Sequence, residues 1–155
     1  YSFSGGFKYK GFEVNLLFQG VGKFSRTISG VGAYESEYQG VFTDLHLKAW
    51  TPERWNNGEE ITYPALSLKA STNHQPNSFF IMDASYLRLK NAEIAYTLPL
   101  NTSKKVFAEK IRFSLSGQNL FTIDNMRSKH IDPEVANMGT FQPYRVYNIG
   151  VSLTF

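Results

Sequence analysis

The chain ends Tyr144-Arg145-Val146-Tyr147-Asn148-Ile149-Gly150-Val151-Ser152-Leu153-Thr154-Phe155. From Tyr147 on, every odd position is large and apolar: Tyr147, Ile149, Val151, Leu153, Phe155. The even positions between them, Asn148, Gly150, Ser152 and Thr154, are small and uncharged. Alternation at period two defines a strand with one oily and one polar face. About twelve residues at ~3.3 Å each, tilted by ~45°, cover roughly the ~25 Å apolar band of an outer-membrane barrel. A half-buried strand of a soluble β-sandwich has the same pattern, so this stretch alone leaves both readings open.

Composition favours the barrel. Aromatic residues make up 15% of the 155 residues, with 13 Phe and 9 Tyr, as interfacial girdles require. Charged residues are 19%, below the ~25% of ordinary soluble domains. A formal charge of +3 with scattered basic residues gives no nucleic-acid footprint. The absence of cysteine excludes disulfides and thiolate metal sites. No apolar run reaches the ~18 residues of a membrane helix, and a mean hydropathy of −0.30 says nothing against alternating strands. The chain begins at Tyr1 inside a strand pattern, without an initiator Met or a signal peptide. The expectation is the C-terminal part of a longer secreted precursor.

Period-two runs recur upstream. Phe3, Gly5, Phe7 and Tyr9 alternate with small or polar residues, then Phe12, Val14, Leu16 and Phe18 do the same, and Lys10-Gly11 between them predicts a tight hairpin turn. Gly22 to Ser85 reads as a long irregular connection containing Pro52, Pro64 and Pro76. A third strand is expected over Tyr86–Leu98, with Arg88 and Lys90 on the same outward parity as Ala92, Ile94, Tyr96 and Leu98. Pro99–Lys110 is a modest polar turn with one helical turn expected at Ser103–Glu109. Ile111, Phe113 and Leu115 begin a fourth strand that runs into Asn119-Leu120-Phe121, and a second long loop spans Thr122–Pro143. Short and long connections thus fall on alternating sides, as in a membrane barrel. The expected fold class is all-β, an antiparallel transmembrane β-barrel fragment with long extracellular loops. Five strands cannot close in lipid, so further strands must come from outside this chain.

Several runs resemble the SusC/RagA family of TonB-dependent outer-membrane transporters of Bacteroidetes. They are Tyr9-Lys-Gly-Phe12, Leu17-Phe-Gln-Gly-Val21, Trp55 ahead of Tyr63-Pro-Ala, and Asp83-Ala-Ser-Tyr86-Leu87-Arg88-Leu89-Lys90-Asn91 before Tyr96-Thr-Leu-Pro99. Ser116-Gly-Gln-Asn119-Leu120-Phe121, Asp132-Pro133-Glu134, Gln142-Pro-Tyr144 and the terminal strand follow in the family's order. The stretch Gly22–Thr51 matches none of its motifs. The resemblance implies the last five strands of a barrel of about 22 strands with a plugged lumen, with the C-terminus on the periplasmic side. It implies energised import of oligosaccharides or peptides, together with a SusD-like surface lipoprotein and with TonB–ExbB–ExbD acting through an N-terminal part not in this chain. It also implies no cofactor, and a terminal row Tyr147, Ile149, Val151, Leu153, Phe155 read by the barrel-assembly machinery.

Among individual residues, Trp50, Arg54 and Trp55 are candidate contacts for a sugar, a peptide or the lipoprotein lid; packing of their own loop is the competing reading. Glu13, Asn15, Gln19, Glu93, Arg112 and Gln118 are expected to face the lumen. Asp124, Asp132 and Glu134 lack calcium-loop spacing. His46, His74 and His130 stand isolated, and no nucleophile elbow occurs, so no enzyme is expected. The alternatives are a soluble β-sandwich that presents Trp50 and Trp55 to a glycan, and a passive porin.

Overall fold

A computed structural model describes residues 1–35 and 41–155; residues 36–40, inside the long stretch without a family motif, lie outside the described residues. The strands are β1 (Ser2–Tyr9), β2 (Phe12–Val21), β3 (Ser25–Thr27), β4 (Ile81–Asp83), β5 (Tyr86–Thr97), β6 (Lys110–Asp124) and β7 (Val146–Thr154), with short helices α1 (Pro52–Asn56) and α2 (Leu100–Ser103). They divide into two compact units. One comprises Tyr1–Gly22, Tyr86–Ile123 and Pro143–Phe155, and the other Lys23–Ser85 and Asp124–Gln142.

The first unit is a five-stranded sheet in the order β1-β2-β5-β6-β7. All five expected strands are present, and each neighbour in the sheet is the next strand of this unit along the chain. Lys10 and Gly11 both take positive φ, 46° and 89°, the type I′ geometry that matches the twist of a two-residue hairpin. In register, Phe3, Phe7 and Tyr9 lie opposite Phe18, Val14 and Phe12. Ile111, Phe113 and Leu115 lie opposite Leu153, Val151 and Ile149. Apolar residues therefore share one face across the strands. That face is uncovered: Ile149 is 87% exposed, and Tyr147, Val151, Leu153 and Phe155 are all exposed. A sandwich would have buried this row against a second sheet. The fold is an antiparallel barrel segment with long loops.

One strand departs from the expected parity. Leu17 pairs with Asn91 but Phe18 pairs with Leu89, so Lys90 is an inserted residue, a β-bulge. Past a one-residue insertion the faces exchange. Leu87 and Leu89 join the apolar face opposite Gly20 and Phe18, while Arg88 lies opposite Gln19 on the polar face, buried to 1% exposure. The outward placement of Arg88 and Lys90 on one parity is thereby corrected. Simple alternation could not show the inserted residue.

The helical turn in the β5–β6 connection also begins earlier than the expected Ser103. Pro99 caps α2 at Leu100–Ser103, a 3₁₀ turn follows at Lys104–Val106, and Phe107 at φ 60° ends it. Proline fixes its own φ and suits a helix start, which moves the turn ahead of Ser103.

The second unit shows that the long connections are not irregular throughout. β3 and β4 pair antiparallel, Ser25 with Asp83 and Thr27 with Ile81. Ile28, Tyr34, Leu45, Tyr63, Phe80, Met82, Met126 and Ile131 form a buried core. Its aromatic rings meet edge to face, Tyr34 on Phe80 at 4.7 Å and Phe79 on Phe80 at 5.1 Å, the arrangement ring quadrupoles favour.

Candidate functional site

On the polar face of the sheet, Arg112 ion-pairs with Glu93 and reaches Glu13 at 3.5 Å. Asn15 donates to Glu13 at 3.3 Å. Asn15, Glu93 and Gln118 line a concave surface together with Ser116 and the glycine pair Gly5-Gly6. The residues expected to face the lumen thus share one face, with Glu13, Glu93 and Arg112 paired across strands.

Asp83, Asn119 and Asp132, polar residues of the family-like motifs, fix local backbone geometry. Asp83 accepts from the Ser85 N–H at 2.9 Å and the Ser85 hydroxyl at 2.6 Å, and the Asn125 amide donates to Asp83 and to Ser85 Oγ. The Ser85 hydrogen bonds come first in holding the Asp83 carboxyl below the ordinary range. This Asx turn ends β4 immediately before Tyr86 opens β5. Asn119 sits at φ 51° just beyond the last β6–β7 pair, Gln118 with Val146. Its amide donates to the Tyr144 carbonyl at 3.0 Å, and Asn tolerates this left-handed conformation better than most residues. Phe121 meets Phe18 at 6.4 Å, with Leu120 between it and Asn119. Asp132 Oδ1 accepts from the Glu134 N–H, its own N–H donates to Gln142, and Arg26 donates to the carbonyl of buried Pro133.

The three candidate contact residues part company. Arg54 donates to the Ala49 carbonyl at 2.9 Å and pairs with Glu59 at 3.6 Å, so it braces α1. Trp55 is exposed on α1, which Thr51 caps. Trp50 alone lines a cleft of about 600 Å³, with Ile61, Thr62, Tyr63, Pro64, Ala65, Phe79 and Arg127. A short parallel bridge between Ala49 and Tyr63 sets one wall, with the Trp50 N–H on the Tyr63 carbonyl at 2.9 Å. Arg127 lies over the Phe79 ring at 4.5 Å and donates to the Phe79 carbonyl. Phe79 and Arg127 carry no motif, and only the fold brings them together.

Behind the cleft is a buried polar network. Glu35, 1% exposed, accepts from the Ser67 N–H at 2.8 Å, lies 3.0 Å from the Tyr63 hydroxyl and contacts His74 Nε2 at 2.9 Å. Burial by itself raises the Glu35 pKa; the bonds from His74, Ser67 and Tyr63 outweigh it and hold the carboxyl below its usual value. Burial raises the Tyr63 phenol, reinforced by the Glu35 charge, so that phenol stays protonated. Burial also lowers His46, whose Nδ1 accepts from the Thr43 N–H at 2.9 Å. Two of the histidines that look isolated in sequence therefore share one core. Among the described residues no group of three or more His, Cys, Asp or Glu is placed to hold a metal. The arrangement is suited to binding through the open cleft, on a rigid polar and aromatic support.

No family model matches the chain. Two curated relatives from Formosa agariphila do. TonB-dependent receptor P3 is 29% identical over 171 aligned positions, covering 99% of this chain and 16% of that receptor. TonB-dependent receptor P26 is 30% identical over 142 positions, covering 90% and 14%. Among solved structures, the RagAB peptide importer in its open-open state superposes with a TM-score of 0.70 at 25% identity, over 99% of this chain and 17% of that one. Its closed-closed state gives 0.72 at 24%. The chain thus spans about one-sixth of the length of the proteins it matches. The order of the motifs, the strand meander and both sets of matches agree: the chain belongs to the SusC/RagA-type TonB-dependent receptors of the outer membrane, as a segment of their barrel wall with its loops.

Proposed function

We propose that residues 1–155 are the C-terminal strands and extracellular loops of an active importer of oligosaccharides or peptides. The observation that carries this reading is the five-strand meander with a bare apolar row and a polar opposite face, superposing on the RagAB importer across 99% of the chain. On this reading a SusD-like lipoprotein covers the outer mouth. TonB, ExbB and ExbD supply energy through parts of the receptor outside this chain, and the C-terminus lies on the periplasmic side. The terminal row ending at Phe155 offers an exposed strand edge and an aromatic anchor to the barrel-assembly machinery, a form of strand addition. No step of the reading needs a cofactor or bond chemistry. RagAB is a peptide importer, and of the two solute classes that likeness favours peptide here.

The test is uptake by cells carrying the whole receptor. A strain lacking its gene is expected to lose growth on a peptide mixture or on a polysaccharide panel. The full-length gene is expected to restore growth, and a protonophore or loss of TonB to abolish it again. Uptake that survives both treatments would point to a passive porin instead.

A further inference from the structure

The cleft in the loop unit combines apolar walls with a single charged lining residue. Its volume of about 600 Å³ lies within the ~300–1,000 Å³ usual for small-ligand sites. The main-chain groups of its walls are largely committed. The Thr62 N–H donates to the Lys48 carbonyl at 3.0 Å, the Tyr63 carbonyl accepts from Trp50, and the Phe79 N–H donates to Asn77 at 2.8 Å. Pro64 has no N–H to offer. Trp50, half exposed at 40%, and Phe79 supply flat apolar surface.

Arg127 is the exception. Stacking on Phe79 fixes its plane, and one of its five donors goes to the Phe79 carbonyl. Among the described residues it forms no ion pair. Partial burial lowers its pKa, with no acid opposing the shift. Asp44, which lines an adjacent pocket with Arg127, is already engaged by the Ser128 hydroxyl at 2.6 Å and the Lys129 N–H at 2.7 Å. A fixed guanidinium with unspent donors matches a carboxylate, which it can hold through two parallel bonds.

We propose that this cleft takes the C-terminal residue of a peptide, its α-carboxylate on Arg127 and an aromatic or branched apolar side chain against Trp50 and Phe79. The inference rests on the importer reading and narrows its substrate class. An acidic sugar would satisfy Arg127 equally well. Its ring hydroxyls, however, would lie against the apolar surfaces of Trp50, Ile61, Pro64, Ala65 and Phe79, and each hydroxyl left unpaired there is costly to desolvate. A hydrophobic C-terminal residue has no such hydroxyls.

The experiment uses the detergent-purified full-length receptor and a synthetic tetrapeptide mixture, each member supplied as free acid and as C-terminal amide, with retained species read by mass spectrometry. Free acids ending in Phe, Tyr, Leu or Ile are expected to be retained at least about tenfold over their amides, the scale of a charge-assisted hydrogen-bond pair. Arg127→Gln is expected to bring that ratio to about one, and Trp50→Ala to weaken acids and amides alike. Barrel integrity in each variant is read independently from heat-modifiable gel migration. Equal retention of acid and amide, no retention above a receptor-free control, or displacement of the peptides by oligogalacturonate overturns the proposal. Those results leave the importer reading standing where TonB-dependent growth persists; that reading fails separately, when growth no longer depends on TonB.

Discussion

Two side chains make bonds whose loss is measurable, Glu35 inside the loop unit and Asn119 beside the start of β7. Glu35 has a folded-state pKa below its ordinary value. Its contribution is therefore complete above the unfolded carboxylate range, ~4.3, and is lost as pH falls through the lower folded value. Amide exchange of the loop unit is expected to accelerate as pH drops through that window, after correction for intrinsic rates, and Glu35→Gln to flatten the dependence. Glu35→Ala is expected to lower the local opening free energy by about 3 kcal/mol, since it removes the acceptor that His74 and the Ser67 N–H share. Asn119 acts through its backbone. Asn119→Ala is expected to cost about 2 kcal/mol in urea unfolding of the receptor in lipid vesicles, about half from the left-handed φ and half from the lost bond to Tyr144. Asn119→Gly is expected to recover the backbone half. At this scale the sequence was only partly legible. The runs around Asp83, Asn119 and Asp132 stand out as words, but nothing in the sequence pairs them with Asn125, Tyr144 and Gln142, which lie 42, 25 and 10 residues away.

Strands were the most legible elements, because each face of a strand meets one uniform surrounding and so writes a period of two into the chain. The Lys10-Gly11 turn was legible for a related reason, since paired positive φ angles demand a narrow choice of residues. The bulge at Lys90 was hidden, because an insertion leaves apolar residues in place and merely reassigns their faces. This makes it testable. Deleting Lys90 is expected to leave Asn91 opposite Leu17 and Leu89 opposite Phe18 in unbroken register, with Arg88 still on the polar face and Leu87 and Leu89 still on the apolar face. An arginine on the lipid face costs ~2–4 kcal/mol at mid-depth. Heat-modifiable migration is therefore expected to survive the deletion, whereas a sharp loss of it would show Arg88 turned to the lipid side. The β5–β6 connection falls where expected, but its helical turn starts at Leu100 rather than Ser103, because Pro99 supplies a helix start.

For the molecule as a whole, the bare row from Tyr147 to Phe155 and its neighbours on β1, β2 and β6 decide the solvent. Residues 1–155 expressed alone in aqueous buffer are expected to aggregate, giving strong light scattering, and to disperse only in detergent. A monomeric product that unfolds cooperatively in plain buffer would contradict the barrel reading. What sequence could not convey at this scale was that two loops, Lys23–Ser85 and Asp124–Gln142, share one core. Ile28, Tyr63, Phe80 and Met126 come from distant points without periodicity, so no window of sequence contains the cluster. That shared core has an evolutionary corollary. Loops resting on their own nucleus are free to diversify while the strand wall stays fixed by its alternation. Exchanging both loops together between related receptors is therefore a sounder graft than exchanging either one, since half a nucleus has nothing to close upon.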